Sequence, residues 1–394
     1  MLDATRGLPL ATTITGSVPR PAWFDRGLGG RTFRQAWGDS RYREQYQDAV
    51  SSHLRDQERA GLDVVTDGDC RFDLDVGGQS WFLYPARRLA GCSGDEYAAP
   101  AYGVGKGTII FEAMESRVMP RVTGPIGRGE LQYAEVWRVA QELTERPVKF
   151  GTITPEVLGL SLRNDFYPSH RELIVDLAAA MRDELEDVAR AGARAIQLEE
   201  PNVHLMALRR REGVGELGLD FFIEVFNSTV RGLRELTEVW CHTCWGNTAQ
   251  QRLFAESRSY GEALEALDRL DVDVLTFECA STGGIDLAAI GSTISRDKRI
   301  AIGVVDHRNL HVESAEQVAA LLRRALEHVE PERLIVSSDC GFGREGMTRR
   351  IAFYKMVSIV RGTNIVRAEL GLPQAVCRAA DPTYALGNRN AADD

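Results

Sequence analysis

The sequence predicts an α/β protein of the (β/α)8, or TIM, barrel class, with an insertion after the second strand. Two observations carry that expectation. Eight short runs rich in apolar and β-branched residues alternate with segments of helical periodicity along the 394 residues. The carboxyl ends of those runs, where a barrel gathers its reactive groups, repeatedly hold acids, histidine and cysteine. A doubly wound open sheet also alternates strands and helices, but it requires no particular count of eight. The whole chain, 1–394, reads as a single barrel domain, with 73–128 an insertion or lid within it.

The expected strands are 12–15, 63–66, 148–153, 195–198, 239–243, 274–277, 300–305 and 334–337. Between them the apolar spacing turns helical. In 171–192, Leu173, Ile174, Leu177, Met181, Leu185 and Val188 fall on one face. Ser169 with Glu172 gives a capping-box pattern at its start, and Gly192 marks its end. The 314–329 segment opens the same way with Ser314 and Gln317. Helices are also expected over 42–60, 130–143, 218–236 and 248–270, and 347–370 reads as a helical region broken near Gly362. Residues 73–128 interrupt the rhythm with glycines, Trp81, Phe82, Tyr84, Tyr97 and Tyr102, then a hairpin pattern. That stretch is either a cover for the barrel mouth or a packed excursion on its rim.

Composition narrows the function. A net charge of −10 argues against nucleic acid or an anionic membrane surface as partner. No apolar stretch approaches the ~18–20 residues that span a bilayer, and the first residues lack a basic segment followed by a long apolar core. Seven cysteines, an odd number spread thinly, do not look like a disulfide framework, so a reducing cytoplasm is the expected location.

The strand ends supply the candidate site. The first ends in Gly16, Ser17 and Arg20, the second in Asp67 and Asp69, and the fourth in Gln197, Glu199 and Glu200. The fifth gives His242 and Cys244, the sixth Glu278, the seventh Asp306 and His307, and the eighth Asp339 and Cys340. In WCHTCWGN, strand alternation puts His242 and Cys244 on one face and Cys241 and Thr243 on the other. Taken alone, that pair reads as a core histidine beside a buried thiol. The accumulation at so many equivalent positions favours a site. His242, Cys244, Glu278 and Cys340 form an N, S, O, S donor set suited to tetrahedral zinc, and two thiolates argue against magnesium or calcium. Such an electron-rich site generates hydroxide poorly, but it can exchange a weak ligand, Glu278, for a substrate thiol. Cys241 and Cys279, of opposite parity, read as packing residues.

The stretches TTITGSVPRP, GLDVVTDGD, AIQLEEPN, CHTCWGN, DVLTFECAS, IGVVDHRN and LIVSSDCGFG, in that order, resemble the catalytic barrel of the cobalamin-independent methionine synthase family. The resemblance implies a zinc-held substrate thiol that accepts a methyl group, with His242, Cys244, Glu278 and Cys340 as ligands. It implies a carboxylate grip at Gly16 and Ser17 and an amine site at Asp69 and Glu199, with Arg20 and Glu200 as further substrate-binding candidates. Glu278, Asp306 and His307 are the catalytic candidates. Long family members have an additional N-terminal barrel half; this chain resembles a short, core-only branch. Glu199 replaces the aspartate common in the family. The family's proton-moving histidine follows the strand-seven aspartate; here His307 directly follows Asp306, and Arg308 comes next. The expected partners are a small thiol, foremost homocysteine, and a methyl or alkyl donor: folate, corrinoid or another electrophile. Addition of a thiol to an epoxide, C–S bond formation in a specialised pathway, and a non-catalytic zinc-stabilised barrel are the alternatives. A homo-oligomer is compatible with the sequence.

Overall fold

The computed structural model describes residues 4–71, 83–97, 118–208, 217–245, 259–343 and 347–381. Its main sheet is parallel and runs in sequence order through Phe150–Ile153, Ala195–Glu199, Glu238–His242, Val274–Phe277, Arg299–Gly303 and Leu334–Ser337. These are the third to eighth expected strands. The first two appear as single parallel bridges, Thr12 to Val336 and Val65 to Val148. They join the ring by backbone hydrogen bonds: Thr13 N to Val336 O, Val64 N to Thr12 O, and Lys149 N to Val65 O. The ring of eight therefore closes as a TIM barrel. The first strand is short because a side chain enters its ladder: Asp63 accepts from both the N–H and the hydroxyl of Thr12, each at 2.8 Å.

Alternation sorts the strand residues into two environments. Val64, Ala195, Trp240, Val274, Ala301 and Ile335 meet inside the ring with Ala4 and form an apolar floor. Their neighbours of opposite parity, Cys241 and Cys279 among them, join the larger core beneath the helix layer. Two residues up from the floor the interior turns polar, with Gln197, His242 and Thr276. The barrel is thus closed to water below and chemically equipped above.

The helix layer follows the sequence pattern closely. His170–Arg190 begins where Ser169 accepts from Glu172 N at 3.2 Å, and Gly192 follows it at φ 111°. Ala315–Leu326 carries a complete capping box from Ser314 and Gln317. One expectation is corrected: Arg349–Glu369 is continuous through Gly362. A Cβ at Gly362 would stand 2.4 Å from Val318 Cβ, so the glycine permits close helix packing rather than a break.

Within the insertion, Val118–Gly127 pairs antiparallel with Ala90–Tyr97, a strand the sequence pattern did not single out; the 108–112 run expected to form a hairpin with it lies outside the described residues. Arg163–Asn164 adds a third, short strand that the sequence did not reveal. Tyr84 does not face outward as a cover. It is buried, stacks on Tyr133 and donates its hydroxyl to Leu131 O at 2.7 Å. Trp81, Phe82 and Tyr102 lie outside the described residues, as does part of the expected 248–270 helix.

Candidate metal centre and substrate pocket

Three of the four expected ligands meet at the mouth of the barrel. Donor atoms of His242, Cys244 and Cys340 lie within 4.8 Å of one another. His242 ends the fifth strand with its ring inside the barrel, and its Nε2 is 3.4 Å from Cys340 Sγ. Its Nδ1 is 2.6 Å from Thr276 Oγ1 on the adjacent strand. With a proton on Nδ1 donated to that hydroxyl, the Nε2 lone pair faces the thiols, as a ligand requires. Burial, with the charges of Lys149 and His204, lowers the His242 pKa to about 3, so the ring is neutral at physiological pH. Burial and the neighbouring Cys244 push the Cys340 thiol up. Without a cation Cys340 holds its proton; a soft divalent cation bound by both sulfurs would stabilise the thiolates. The donor set fits zinc.

Glu278 lies elsewhere. Its carboxylate groups with His307 and Asp339, all three buried and within 4.8 Å of one another. It accepts from Trp245 N at 2.9 Å, Ser281 Oγ at 3.0 Å and Arg308 Nη2 at 3.0 and 3.2 Å. Asp339 serves the backbone: its oxygens accept from the N–H groups of Cys279, Ala280 and Ser281. That reach requires Gly303, where a Cβ would sit 2.0 Å from Asp339 Oδ1. Asp306 is likewise a loop organiser, accepting from Arg308 N at 2.7 Å and Asn309 Nδ2 at 2.6 Å.

The substrate candidates divide. Asp69 stands in the left-handed region at φ 55°, held there by a 2.8 Å bond from its N–H to Asp67. Its Oδ2 lies 2.9 Å from where a Cβ on Gly16 would be, so only glycine leaves room. Ser17 Oγ accepts from Gly343 N at 3.1 Å, which leaves its hydrogen to donate elsewhere. Glu199 takes a 2.6 Å hydrogen bond from Gln197 and reaches within 3.6 Å of His242 Nε2. Burial raises the pKa of Asp69 to about 7 and that of Glu199 to about 8. An ammonium group arriving beside them would restore their charge.

Arg20 and Glu200 do not join this group. Arg20 donates to Cys70 O at 3.1 Å and lies over the Phe24 ring, tying two loops together. Glu200 faces the helix layer by strand parity and accepts from Asn202 N and Val203 N at 3.0 and 2.7 Å. It caps a helix, with the buried Glu156 beside it.

Sequence reasoning passed over two buried cations. Lys149 Nζ donates to Gln197 Oε1 at 2.6 Å and sits 4.5 Å from the Trp240 ring centroid. Burial lowers its pKa to about 7. Arg71 pairs with Asp69 at 3.1 Å. Both would have shown only as charges inside otherwise apolar or strand-end patterns.

A family model described as the catalytic domain of cobalamin-independent synthase matches residues 102–361. The chain belongs to this family. This synthase is therefore an enzyme, a methyltransferase in its chemistry. It is 29% identical to a methionine synthase of Sulfurisphaera tokodaii over 361 residues, covering 92% of this chain and 94% of that protein. A methionine synthase of Saccharolobus solfataricus is equally similar, at 29% over 364 residues and 96% of its length. Among solved structures, a B12-independent methionine synthase from Shewanella sp. W3-18-1, in complex with selenomethionine, aligns with a TM-score of 0.71 and 22% identity. It covers 92% of this chain and 99% of that one. A methyltransferase from Methanosarcina mazei aligns at 0.51 with 15% identity, over 91% and 96%. These structural likenesses support the barrel. Among the described residues, no helix is long and apolar enough to cross a membrane.

Proposed function

We propose that this synthase methylates the sulfur of homocysteine, with zinc held by His242, Cys244 and Cys340 and with Glu278 as a fourth, exchangeable ligand. The observation that carries the reading is the buried His242 imidazole and two thiols with Glu199 beside them, Asp69 next to Glu199 and Ser17 bonded to the loop that carries Cys340, at the open end of a barrel with an apolar floor. Zinc, when bound, supplies the positive charge that brings an incoming thiol to thiolate near neutral pH. The chain's own residues do the rest. Asp69 and Glu199 receive the substrate ammonium, and the Ser17 hydroxyl donates to its carboxylate. Lys149 fixes the Gln197 amide so that its N–H side points at Glu199. Thr276 keeps the His242 ring oriented, and the floor excludes water from below. His307, buried beside Glu278 and Asp339, is the remaining catalytic candidate.

The donor is the second part of the proposal. Net charge is −10, and of Arg87 and Arg88, adjacent arginines that could offer a local basic patch, Arg88 is buried against Tyr84 with its guanidinium on backbone carbonyls. A polyanionic folate tail is therefore disfavoured, and a methyl-corrinoid or a smaller electrophile is the expected donor. The reading includes a single barrel domain in the cytoplasm, with 73–128 an insertion or lid within it; the seven cysteines are all free thiols.

The test is zinc content with a panel of acceptors and donors. One zinc per chain is expected, with Cys244→Ser plus Cys340→Ser abolishing both metal and turnover while circular dichroism stays unchanged. Asp69→Asn should raise KM for homocysteine far more than for a thiol lacking the amine. Full metal content in the double variant would refute the ligand set. Equal effects on the two thiols would remove the amino-acid acceptor. Turnover with methyl-folate as fast as with any other donor would refute the donor assignment.

A further inference from the structure

We infer that Arg308 is a second seat for Glu278, which holds that carboxylate off the His242, Cys244 and Cys340 cluster until the carboxylate is called to it. The inference rests on the zinc reading above and concerns a residue outside the ligand set.

Glu278 is 1% exposed, and its two oxygens are both engaged. Oε1 accepts from Trp245 N and Arg308 Nη2, and Oε2 from Ser281 Oγ and Arg308 Nη2. The donors come from the loops after the fifth, sixth and seventh strands, so this is a built seat and not a chance surface contact. A carboxylate with a guanidinium and two further donors is well satisfied without a metal. Trp245 is also the residue next to Cys244, which keeps the seated carboxylate adjacent to the cluster without being one of its members. Cys244 and Asp339 are near enough to act electrostatically on the same guanidinium.

The seat is rigidly mounted. Arg308 N and Asn309 Nδ2 both bind Asp306, and Asp306 N donates to Glu313 at 2.8 Å. Glu313 is in turn paired with the buried Lys355 at 2.9 Å. Asp306 thereby acts as a positioning residue for the Arg308 loop. One carboxylate cannot satisfy Arg308 and a metal at once with both oxygens. The strength of the Arg308 pair therefore sets how strongly Glu278 competes for the fourth metal position, and Arg308 receives the carboxylate whenever another ligand takes that position.

The experiment measures zinc affinity of the full-length protein without thiol, by chelator competition. The proteins are wild type, Arg308→Met, Glu278→Gln and the double variant, with Arg308→Lys as a charge-keeping control. Arg308→Met should bind zinc roughly tenfold or more tightly, the scale of one charge-assisted bond. Glu278→Gln alone should change affinity little, and adding it to Arg308→Met should abolish the gain. Arg308→Lys should give a smaller gain in the same direction, and it decides the matter if the methionine variant does not fold. Unchanged or weaker affinity in the Arg308 variants overturns the seat. So does a gain that persists in the double variant, because simple loss of a nearby charge would then explain it. Zinc held by wild type and lost on Cys244→Ser, with no gain on Arg308 substitution, defeats the seat alone. A wild type that holds no zinc defeats the zinc reading and the seat together.

Discussion

His53, buried on the Ser40–Ala60 helix, feels the positive charges of Arg349 and Arg20, which disfavour a proton. Its Nε2–H donates to Pro19 O at 3.2 Å, which leaves Nδ1 to accept from the Cys70 thiol at 3.1 Å. Burial lowers its pKa to about 4. The unfolded chain, at ~6.5, takes the proton first as pH falls. Stability is therefore unaffected by this group above ~6.5 and is lost between there and about 4, by about 1.4 kcal/mol per pH unit and about 3 kcal/mol in all. His53→Gln keeps a donor toward Pro19 and removes the titration. The wild-type-minus-variant difference in urea stability should fall by that amount from pH 7 to 4, and a flat difference would refute the assignment. His53 was not legible in the sequence because its partners come from other segments. Lys149 and Arg71 were missed for the same reason: a buried cation acquires meaning only from carboxylates or amides on other segments. His242, Cys244 and Cys340 were legible because strand-end position and parity alone bring them together. Glu200, one residue from Glu199, shows the same parity rule working in reverse.

At the scale of elements, Gly362 sits in the middle of the Arg349–Glu369 helix, where propensity alone favours alanine by about 1 kcal/mol. The neighbouring Ala315–Leu326 helix decides otherwise. A Cβ at Gly362 would be 2.4 Å from Val318 Cβ and 2.7 Å from Ala315 O. Neither backbone nor a β-branched side chain can give way cheaply. Gly362→Ala should therefore destabilise by about 1–3 kcal/mol, the usual cost of overpacking, as read from the urea midpoint. A stabilised variant would show that the two helices separate without cost. The sequence makes this glycine look like a break because periodicity records composition along one helix and not the approach of another. The strands read more reliably. Val274–Phe277 and Leu334–Ser337 match expectation end to end, since each is an apolar run bounded by polar residues. The first two shrink to bridges because Asp63 replaces part of the ladder with its side chain, which no propensity encodes.

For the molecule as a whole, the upper barrel is a costly place to fold. Glu199 and Asp339 are pushed up to about 8, Asp69 to about 7, and Lys149 down to about 7, in each case chiefly by burial. The apolar floor and the helix-layer core must support that polar half. A cation held by His242, Cys244 and Cys340 would offset part of the cost, and it would also join distant parts of the ring. His242 ends the fifth strand with Cys244 in the loop after it, and Cys340 lies in the loop after the eighth, which leads into Phe342 and Gly343, bonded to Ser17. Binding to the folded barrel alone adds RT ln(1 + [L]/Kd), about 4 kcal/mol at a thousandfold excess over Kd. With the usual unfolding entropy per residue, a chain of this length should gain roughly 5 °C in Tm. Calorimetry of zinc-loaded and chelator-stripped protein should show that difference, and the Cys244→Ser, Cys340→Ser double variant should not. An equal Tm for loaded and stripped wild type would mean that the three side chains do not hold the metal that their geometry suits.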